Sequence, residues 1–300
     1  MSVEFCGLDL AHPIVNGSGT FDAIAAATTF GEDLLKDFPF SAYVSKTITL
    51  APRIGNRAPR LWEAPAGLIN SIGLPNKGVE HYLKEDLPLL GALSTCHGSE
   101  QRGSLWPVPL ITNVMGSTAA ELCALLDACD PHPQIAAFEL NVSCPNVQTG
   151  LDIGADPAQL REVLSEVRSH TSKPLIVKLT PNTADVPSCA LAAEEGGADA
   201  VSLINTLRAM ALAPGARHAA PAARWLGGGT GGLSGPAIRH VALAQVAAVA
   251  DRVTIPIVGM GGVQSADHAS ALLAVGASLV AVGTESFRDP LVGATIARSL

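Results

Sequence analysis

Aromatic residues make up only 4% of this 300-residue chain, and 19 basic residues stand against 27 acidic ones, a net charge of −8. Base-stacking platforms and a basic footprint are both missing, which argues against nucleic acid as a partner. Charged residues are also few, 15% against 48% hydrophobic, and the mean hydropathy is +0.31, too apolar for a disordered chain. Glycine (29) and proline (21) follow no repeat, which excludes a collagen-like thread. The six cysteines (Cys6, Cys96, Cys123, Cys129, Cys144, Cys189) lie 90, 27, 6, 15 and 45 positions apart, and none has the C-x2-C spacing of a zinc or iron–sulfur site. An iron–sulfur cluster would have to sit on another chain. No pair of the eight histidines has metal-binding H-x3-H spacing, and no metal is expected; His12, His81, His240 and His268 read as capping or surface residues. Low-charge stretches are broken by proline, glycine or polar residues before reaching the ~18 apolar positions of a membrane span. The N-terminus MSVEFCGLDLAHP carries acids and no signal-peptide core. The expectation is an unexported, soluble, cytoplasmic protein with reduced thiols and no membrane partner.

What is present is regular alternation. Apolar, β-branched runs at Pro13–Asn16, Tyr43–Thr47, Pro109–Val114, Ala136–Val142, Leu175–Leu179, Ala200–Ile204, Ile255–Met260 and Leu279–Gly283 read as strands. Amphipathic, Ala/Leu-rich segments at Thr118–Cys129, Asp156–Thr171, Ala184–Glu195, Gly235–Ala250 and Ala266–Val275 read as helices; the second opens on Asp-Pro, a capping residue before a first-turn proline. Length alone allows two domains, but eight βα units fit a (β/α)8 barrel of ~250 residues with insertions. We therefore expect an α/β protein, a TIM barrel forming a single domain over residues 1–300. Two stretches interrupt the alternation. Residues 48–106 are rich in Pro, Gly and Asn, and a span of that length in a compact barrel is usually a functional insertion, here over the active face. Residues 209–234, the second insertion expected over that face, contain GGGTGG, which composition alone leaves open as a flexible surface loop. No dinucleotide fingerprint is present, because no strand leads directly into these glycines.

In a barrel, residues at the C-terminal strand ends point into the active face. Four predicted strands end in polar residues there: Ser45-Lys46-Thr47, Glu139 to Asn146, Lys178-Leu179-Thr180 and Asn205-Thr206. A lysine within an apolar strand needs an anion, because an unpaired buried ammonium costs several kcal/mol. Lys46 and Lys178 are thus candidate ligands for a phosphate, a carboxylate or a reduced anionic ring; alternatively each is paired with a neighbour such as Glu139. Cys144 follows strand four and precedes Pro145. A free cysteine is most often a small buried hydrophobe, but at the active face, between Asn141, Ser143 and Asn146, this one is placed to transfer a proton. Gly259-Met260-Gly261-Gly262 and Gly283-Thr284 close the last two strands and offer bare N–H groups where barrels commonly hold a phosphate.

Longer motifs narrow the reading. Asn70-Ser71-Ile72-Gly73-Leu74-Pro75-Asn76, Glu139-Leu140-Asn141-Val142-Ser143-Cys144-Pro145-Asn146 and Gly259-Met260-Gly261-Gly262 resemble the class 1 dihydroorotate dehydrogenases. The match runs in order from Pro13 to about Pro290 and takes in Ser18-Gly19-Thr20-Phe21, Pro52-Arg53-Ile54-Gly55-Asn56, Lys178-Leu179-Thr180-Pro181-Asn182, Ile204-Asn205-Thr206 and Gly231 to Ile238. The last is more similar to the NAD-linked 1B branch than to the fumarate-linked 1A branch. The cysteine of Ser-Cys-Pro-Asn separates the chain from the membrane-associated class 2 enzymes, which carry serine there.

The resemblance implies an FMN-containing barrel that oxidises (S)-dihydroorotate to orotate in pyrimidine biosynthesis. It implies that Cys144 takes the proton from C5 while the hydride at C6 passes to the flavin. Lys46 would lie between substrate and cofactor, bind both, and count with Cys144 as a catalytic residue. Asn70, Asn141, Asn146, Asn205 and Thr206 would hold the substrate. FMN would be cradled by Ser18, Gly19, Lys46, Asn113, Asn141, Lys178, Ile204, Gly235, Gly261, Gly262, Gly283 and Thr284, the phosphate largely by backbone N–H groups. It further implies a partner subunit carrying FAD and a [2Fe–2S] cluster, in a homodimer or heterotetramer, or else direct reduction of a soluble acceptor such as fumarate. Members usually continue for about another helix past Leu300, and Leu93–Trp106 and Arg208–Trp225 diverge from the family pattern. Two alternatives stand beside this reading: a dihydropyrimidine dehydrogenase-like enzyme, against which Asn146 stands where that group has histidine, and a non-catalytic flavin-binding protein.

Overall fold

A computed structural model describes residues 2–31, 38–95, 108–142, 153–215 and 223–300. Fourteen strands follow in chain order among them: β1 (Val3–Phe5), β2 (Leu8–Leu10), β3 (Ile14–Asn16), β4 (Tyr43–Val44), β5 (Leu61–Ala64), β6 (Gly67–Asn70), β7 (Leu110–Val114), β8 (Ile135–Asn141), β9 (Leu175–Lys178), β10 (Ala200–Leu203), β11 (Leu207–Ala209), β12 (Gly231–Ser234), β13 (Ile257–Met260) and β14 (Leu279–Val282). Eight of them form one parallel sheet in the order β3-β14-β13-β10-β9-β8-β7-β4. Each expected strand overlaps one of these eight, and helices alternate with them: the molecule is a (β/α)8 TIM barrel.

The barrel is closed between β3 and β4 by side-chain chemistry. The Asn16 amide, fully buried, takes the N–H of Val44 on its Oδ1 and gives an N–H to the Val44 carbonyl, each at 2.8 Å. One side chain thus imitates both halves of a ladder pair, and Ser41 N–H donates to the Ile14 carbonyl at 2.9 Å beside it.

Strands buried on both faces need apolar side chains on both, which is why these segments read as continuous Val/Ile/Leu/Ala runs. Ile14, Phe138, Leu140, Val177, Val201, Leu203 and Val280 belong to the large cluster shared with the helices. Val15, Val44, Ile111, Ala137, Ile176, Ala200, Val258 and Leu279 form a second cluster, inside the barrel, together with Phe5 and Leu10 of the β1–β2 hairpin. That hairpin plugs the N-terminal end.

The helices begin where their caps dictate. Asp156 accepts from the backbone of Ala158 and Gln159, with Pro157 first in the helix Pro157–Val167; Thr118, Asp185 and Ser265 cap Ala119–Cys129, Val186–Glu195 and Ala266–Ala274. The expected helix 156–171 ends earlier as an α-helix, at Val167, and continues as a 3-10 turn over Arg168–His170. The expected helix 235–250 starts later, at Arg239, after a 3-10 turn over Pro236–Ile238, because Gly235 at φ +90° lies outside helical space. Helices Ala23–Phe30, Leu87–Thr95 and Val292–Ser299 were not anticipated; the last buries Val292 and Ile296.

The two insertions meet in a second, four-stranded antiparallel sheet, β11-β12-β6-β5. The glycine-rich segment is thus a strand at its end: Gly231–Ser234 is an inner strand, pairing Gly232 with both Asn70 and Arg208. Ile69, Ala211 and Leu226, with Trp62 and Trp225 at 5.7 Å between ring centroids, give this sheet its own small core.

Candidate active site

Side chains alternate faces along a strand, so residues two apart share one. Counting upward along the inward face, the lining turns from apolar to polar near the C-terminal mouth: Val44 is followed by Lys46, Ile111 by Asn113, Ala137 by Glu139 and Asn141, Ile176 by Lys178, and Ala200 by Ser202. Register sets these polar residues side by side, with Asn113 opposite Glu139, and Lys178 opposite both Asn141 and Ser202.

The cluster is bonded accordingly. Glu139, 3% exposed, accepts from Asn113 Nδ2 at 2.5 Å and from Ser202 Oγ at 2.7 Å, and lies 3.9 Å from Lys178 Nζ. The pairing of Lys178 with Glu139, left open by the sequence, is therefore real. Asn113, fully buried, keeps one polar atom unsatisfied among the described residues, its Oδ1. Its own backbone N–H donates to Ser45 Oγ at 3.0 Å, and Ser18 Oγ donates to the Ser45 carbonyl at 2.8 Å, which ties the loop after β3 to the end of β4. Lys46 is exposed, and no described carboxylate pairs with it.

A second group holds Asn141, Asn205, Thr206 and Asn70. Asn205 Nδ2 donates to Asn141 Oδ1 at 3.4 Å, Asn205 Oδ1 accepts from the Thr206 backbone at 2.9 Å, and the Thr206 carbonyl accepts from Asn182 Nδ2 at 3.0 Å. Asn70 reaches this group from the inserted sheet, donating to the Gly232 carbonyl at 3.2 Å. Glycine is required at 232, because a Cβ there would stand 1.9 Å from Thr206 Oγ1.

The third group is glycine-rich. Gly261 (φ +139°) and Gly262 (φ +70°) follow β13, and a Cβ on Gly262 would meet the Gly235 carbonyl at 2.8 Å. Thr284 Oγ1 bonds Ser234 Oγ at 2.8 Å, and Gly283 faces Thr20 across the β14–β3 seam. The glycine-rich turns after β13 and β14 form a rim of the kind on which barrels commonly hold a phosphate. Ile204 reaches it too, its Cγ1 3.5 Å from where a Gly261 Cβ would lie, and Gly19 (φ +75°) faces open space.

Of the residues expected from the sequence, Ser18, Gly19, Lys46, Asn70, Asn113, Asn141, Lys178, Ile204, Asn205, Thr206, Gly235, Gly261, Gly262, Gly283 and Thr284 thus lie on the mouth or on the sheet beside it; Cys144 and Asn146 lie outside the described residues. Sequence reasoning missed Asn182 and Ser202, and saw Glu139 only as a partner for lysine. The signal was available, a polar residue at every second position of an apolar strand. Of the described histidines, three bond away from the mouth group: His12 Nδ1 accepts from Ile14 N–H, His268 Nδ1 accepts from Gln264 N–H, and His81 pairs with Lys77 and Asp86.

The barrel mouth thus brings together glycine-rich turns, a buried cation and a group of amides, side chains suited to an anionic ligand and to amide groups. The profile of the dihydroorotate dehydrogenase family matches residues 1–300. Among curated relatives, the proteins of Pelobacter propionicus and Geotalea uraniireducens are 42% and 40% identical over the whole of this chain and 92% of their own, and that of Geobacillus kaustophilus is 39% identical over 89% of its own; each is named dihydroorotate dehydrogenase B (NAD(+)), catalytic subunit. The chain belongs to the dihydroorotate dehydrogenase family.

Proposed function

We propose that this chain is the FMN-bearing catalytic subunit of a cytoplasmic dihydroorotate dehydrogenase of the B type, one domain over residues 1–300, and that it oxidises (S)-dihydroorotate to orotate in pyrimidine biosynthesis. The observation that carries the reading is the single polar rim on which an unsatisfied Asn113 acceptor, the Lys178–Glu139 pair and the glycine-rich turns adjoin a cluster of amides. The residues present fit FMN: the glycine-rich turns suit a phosphate, Asn113 Oδ1 offers a buried acceptor, and Lys178 offers positive charge to an electron-rich ring. Ser18, Gly19, Lys46, Asn113, Asn141, Lys178, Ile204, Gly235, Gly261, Gly262, Gly283 and Thr284 would hold it. FMN bound there supplies a two-electron acceptor for the hydride leaving C6.

The chain's own groups do the rest. Asn70, Asn141, Asn146, Asn205 and Thr206 hold the planar substrate; amides both donate and accept, so they match its ring N–H and C=O groups in one orientation. Lys46, with no described counter-ion, neutralises the substrate carboxylate. Cys144 Sγ, as thiolate, takes the proton from C5. Substrate over the mouth excludes water from the Lys178–Glu139 level.

The relatives are named as one subunit of an NAD(+) enzyme, and this chain lacks both a dinucleotide fingerprint and cluster-type cysteine spacing. A partner subunit with FAD and a [2Fe–2S] cluster therefore relays the electrons to NAD, in a heterotetramer around a catalytic homodimer. No helix among the described residues is long and apolar enough to cross a membrane.

Anaerobic stopped-flow mixing of the FMN-loaded protein with dihydroorotate, and separately with dihydrouracil, tests this. Flavin bleaching by dihydroorotate alone is expected. Bleaching by dihydrouracil at an equal rate would transfer the chain to the dihydropyrimidine class, and a preparation that takes up no FMN would end the reading.

A further inference from the structure

Glu139 has no role in the chemistry above, yet it is the most enclosed carboxylate at the barrel mouth and the point where four strands meet: Asn113 on β7, itself on β8, Lys178 on β9 and Ser202 on β10. A carboxylate only accepts hydrogen bonds. Both oxygens are used, Oε1 by the Ser202 hydroxyl at 2.7 Å and Oε2 by Asn113 at 2.5 Å, with the Lys178 ammonium 3.9 Å from Oε2 to balance the charge. Asn113 must therefore turn its NH2 to Glu139, because its carbonyl oxygen against the carboxylate would set two acceptors face to face. The amide has one other polar atom, Oδ1, and that atom is buried with no partner among the described residues. A buried acceptor left open keeps its desolvation cost without a compensating bond, so the position is built for a ligand that brings a donor.

We infer that Glu139 is a positioning residue: its carboxylate fixes the Asn113 amide in the one orientation that leaves Oδ1 open to a hydrogen-bond donor of the cofactor. The inference rests on the FMN reading. Glu139 touches neither substrate nor cofactor and acts through Asn113. The amide can otherwise rotate and present NH2 in place of oxygen, at little steric cost and with the opposite polarity.

The test is FMN binding to the apo-protein, followed by quenching of flavin fluorescence, so that it does not depend on turnover. Glu139→Ala frees the amide and is expected to weaken FMN binding about tenfold. Glu139→Gln keeps an acceptor for Asn113 Nδ2 and can donate to Ser202 Oγ, so its affinity should stay within about threefold of wild type. Asn113→Asp sets two carboxylates against each other and should weaken binding at least as much as Glu139→Ala, whereas Asn113→Asp with Glu139→Gln restores a donor–acceptor pair and should recover most of the affinity. A Glu139→Ala protein that melts cooperatively and binds FMN within threefold of wild type overturns the inference. If that variant does not fold, the aspartate pair decides, and failure of Glu139→Gln to rescue Asn113→Asp overturns it. A wild-type apo-protein that quenches no flavin fluorescence defeats the cofactor reading itself, a result distinct from loss confined to the variants.

Discussion

Cys144 and Lys46 carry predictions that separate chemistry from binding. Cys144→Ser should still take up FMN, but its flavin should be reduced by dihydroorotate far more slowly at neutral pH and recover in part at high pH, because a hydroxyl gives up its proton with more difficulty than a thiol. An unchanged reduction rate in rapid mixing would remove the cysteine from the mechanism. Lys46→Met should raise the KM for dihydroorotate about tenfold or more, the loss expected for one charge-assisted hydrogen bond of about 1.5–3 kcal/mol. Binding of orotate, measured by the change in flavin absorbance, should weaken by a similar factor. Equal affinity in both proteins would place the substrate carboxylate elsewhere. The two residues drew notice for different reasons: Lys46 as a charge in what reads as an apolar strand, although the strand ends at Val44 and the lysine is exposed, and Cys144 through its place among asparagines at a strand end.

At the scale of elements, the barrel's weakest seam is its most specific one. β3 and β4 share no ladder, and Asn16 supplies both hydrogen bonds that a strand pair would have made to Val44. Asn16→Leu keeps the volume and strands the N–H and C=O of a buried residue, each worth about 1–3 kcal/mol. A loss of about 2–6 kcal/mol in urea unfolding is therefore expected, and a change below about 1 kcal/mol would show that the seam closes without it. The eight barrel strands could be read from sequence because double burial forces apolar runs bounded by turn residues. The inserted sheet could not. Gly231 and Gly232 resemble loop glycines, and only the approach of Asn70 and Thr206 requires them to lack side chains in a strand. The helix Ala23–Phe30 was also missed, since Ala and Thr give it little periodic contrast although Asp22 caps it on Ala25 N–H.

For the molecule as a whole, alkaline pH is the expected point of failure. Burial pushes the Cys6 thiol up to about 11 and the Cys129 thiol up to about 12, and it raises the Tyr43 and Tyr82 phenols as well. Above the ordinary thiol value of 9.0 the unfolded chain releases protons that the fold retains, so these groups leave stability intact below pH ~9 and withdraw it as pH climbs towards 12. The urea midpoint should thus fall between pH 8 and pH 10, and Cys129→Ala should show a shallower fall whatever its stability at pH 8. A midpoint flat over that range would mean that the thiols reach solvent in the native state. What the sequence by itself determined is the periodic part of this protein: eight buried strands, their caps, and the strand ends where polarity breaks through, since each follows from local burial and turn chemistry. What only the tertiary structure decided is which of those polar groups meet. The closure by Asn16, the pairing of Glu139 with Asn113, and the union of two distant insertions into one sheet join residues 28, 26 and 162 positions apart. No local pattern encodes such contacts, because they arise when the barrel bends its strands into a ring.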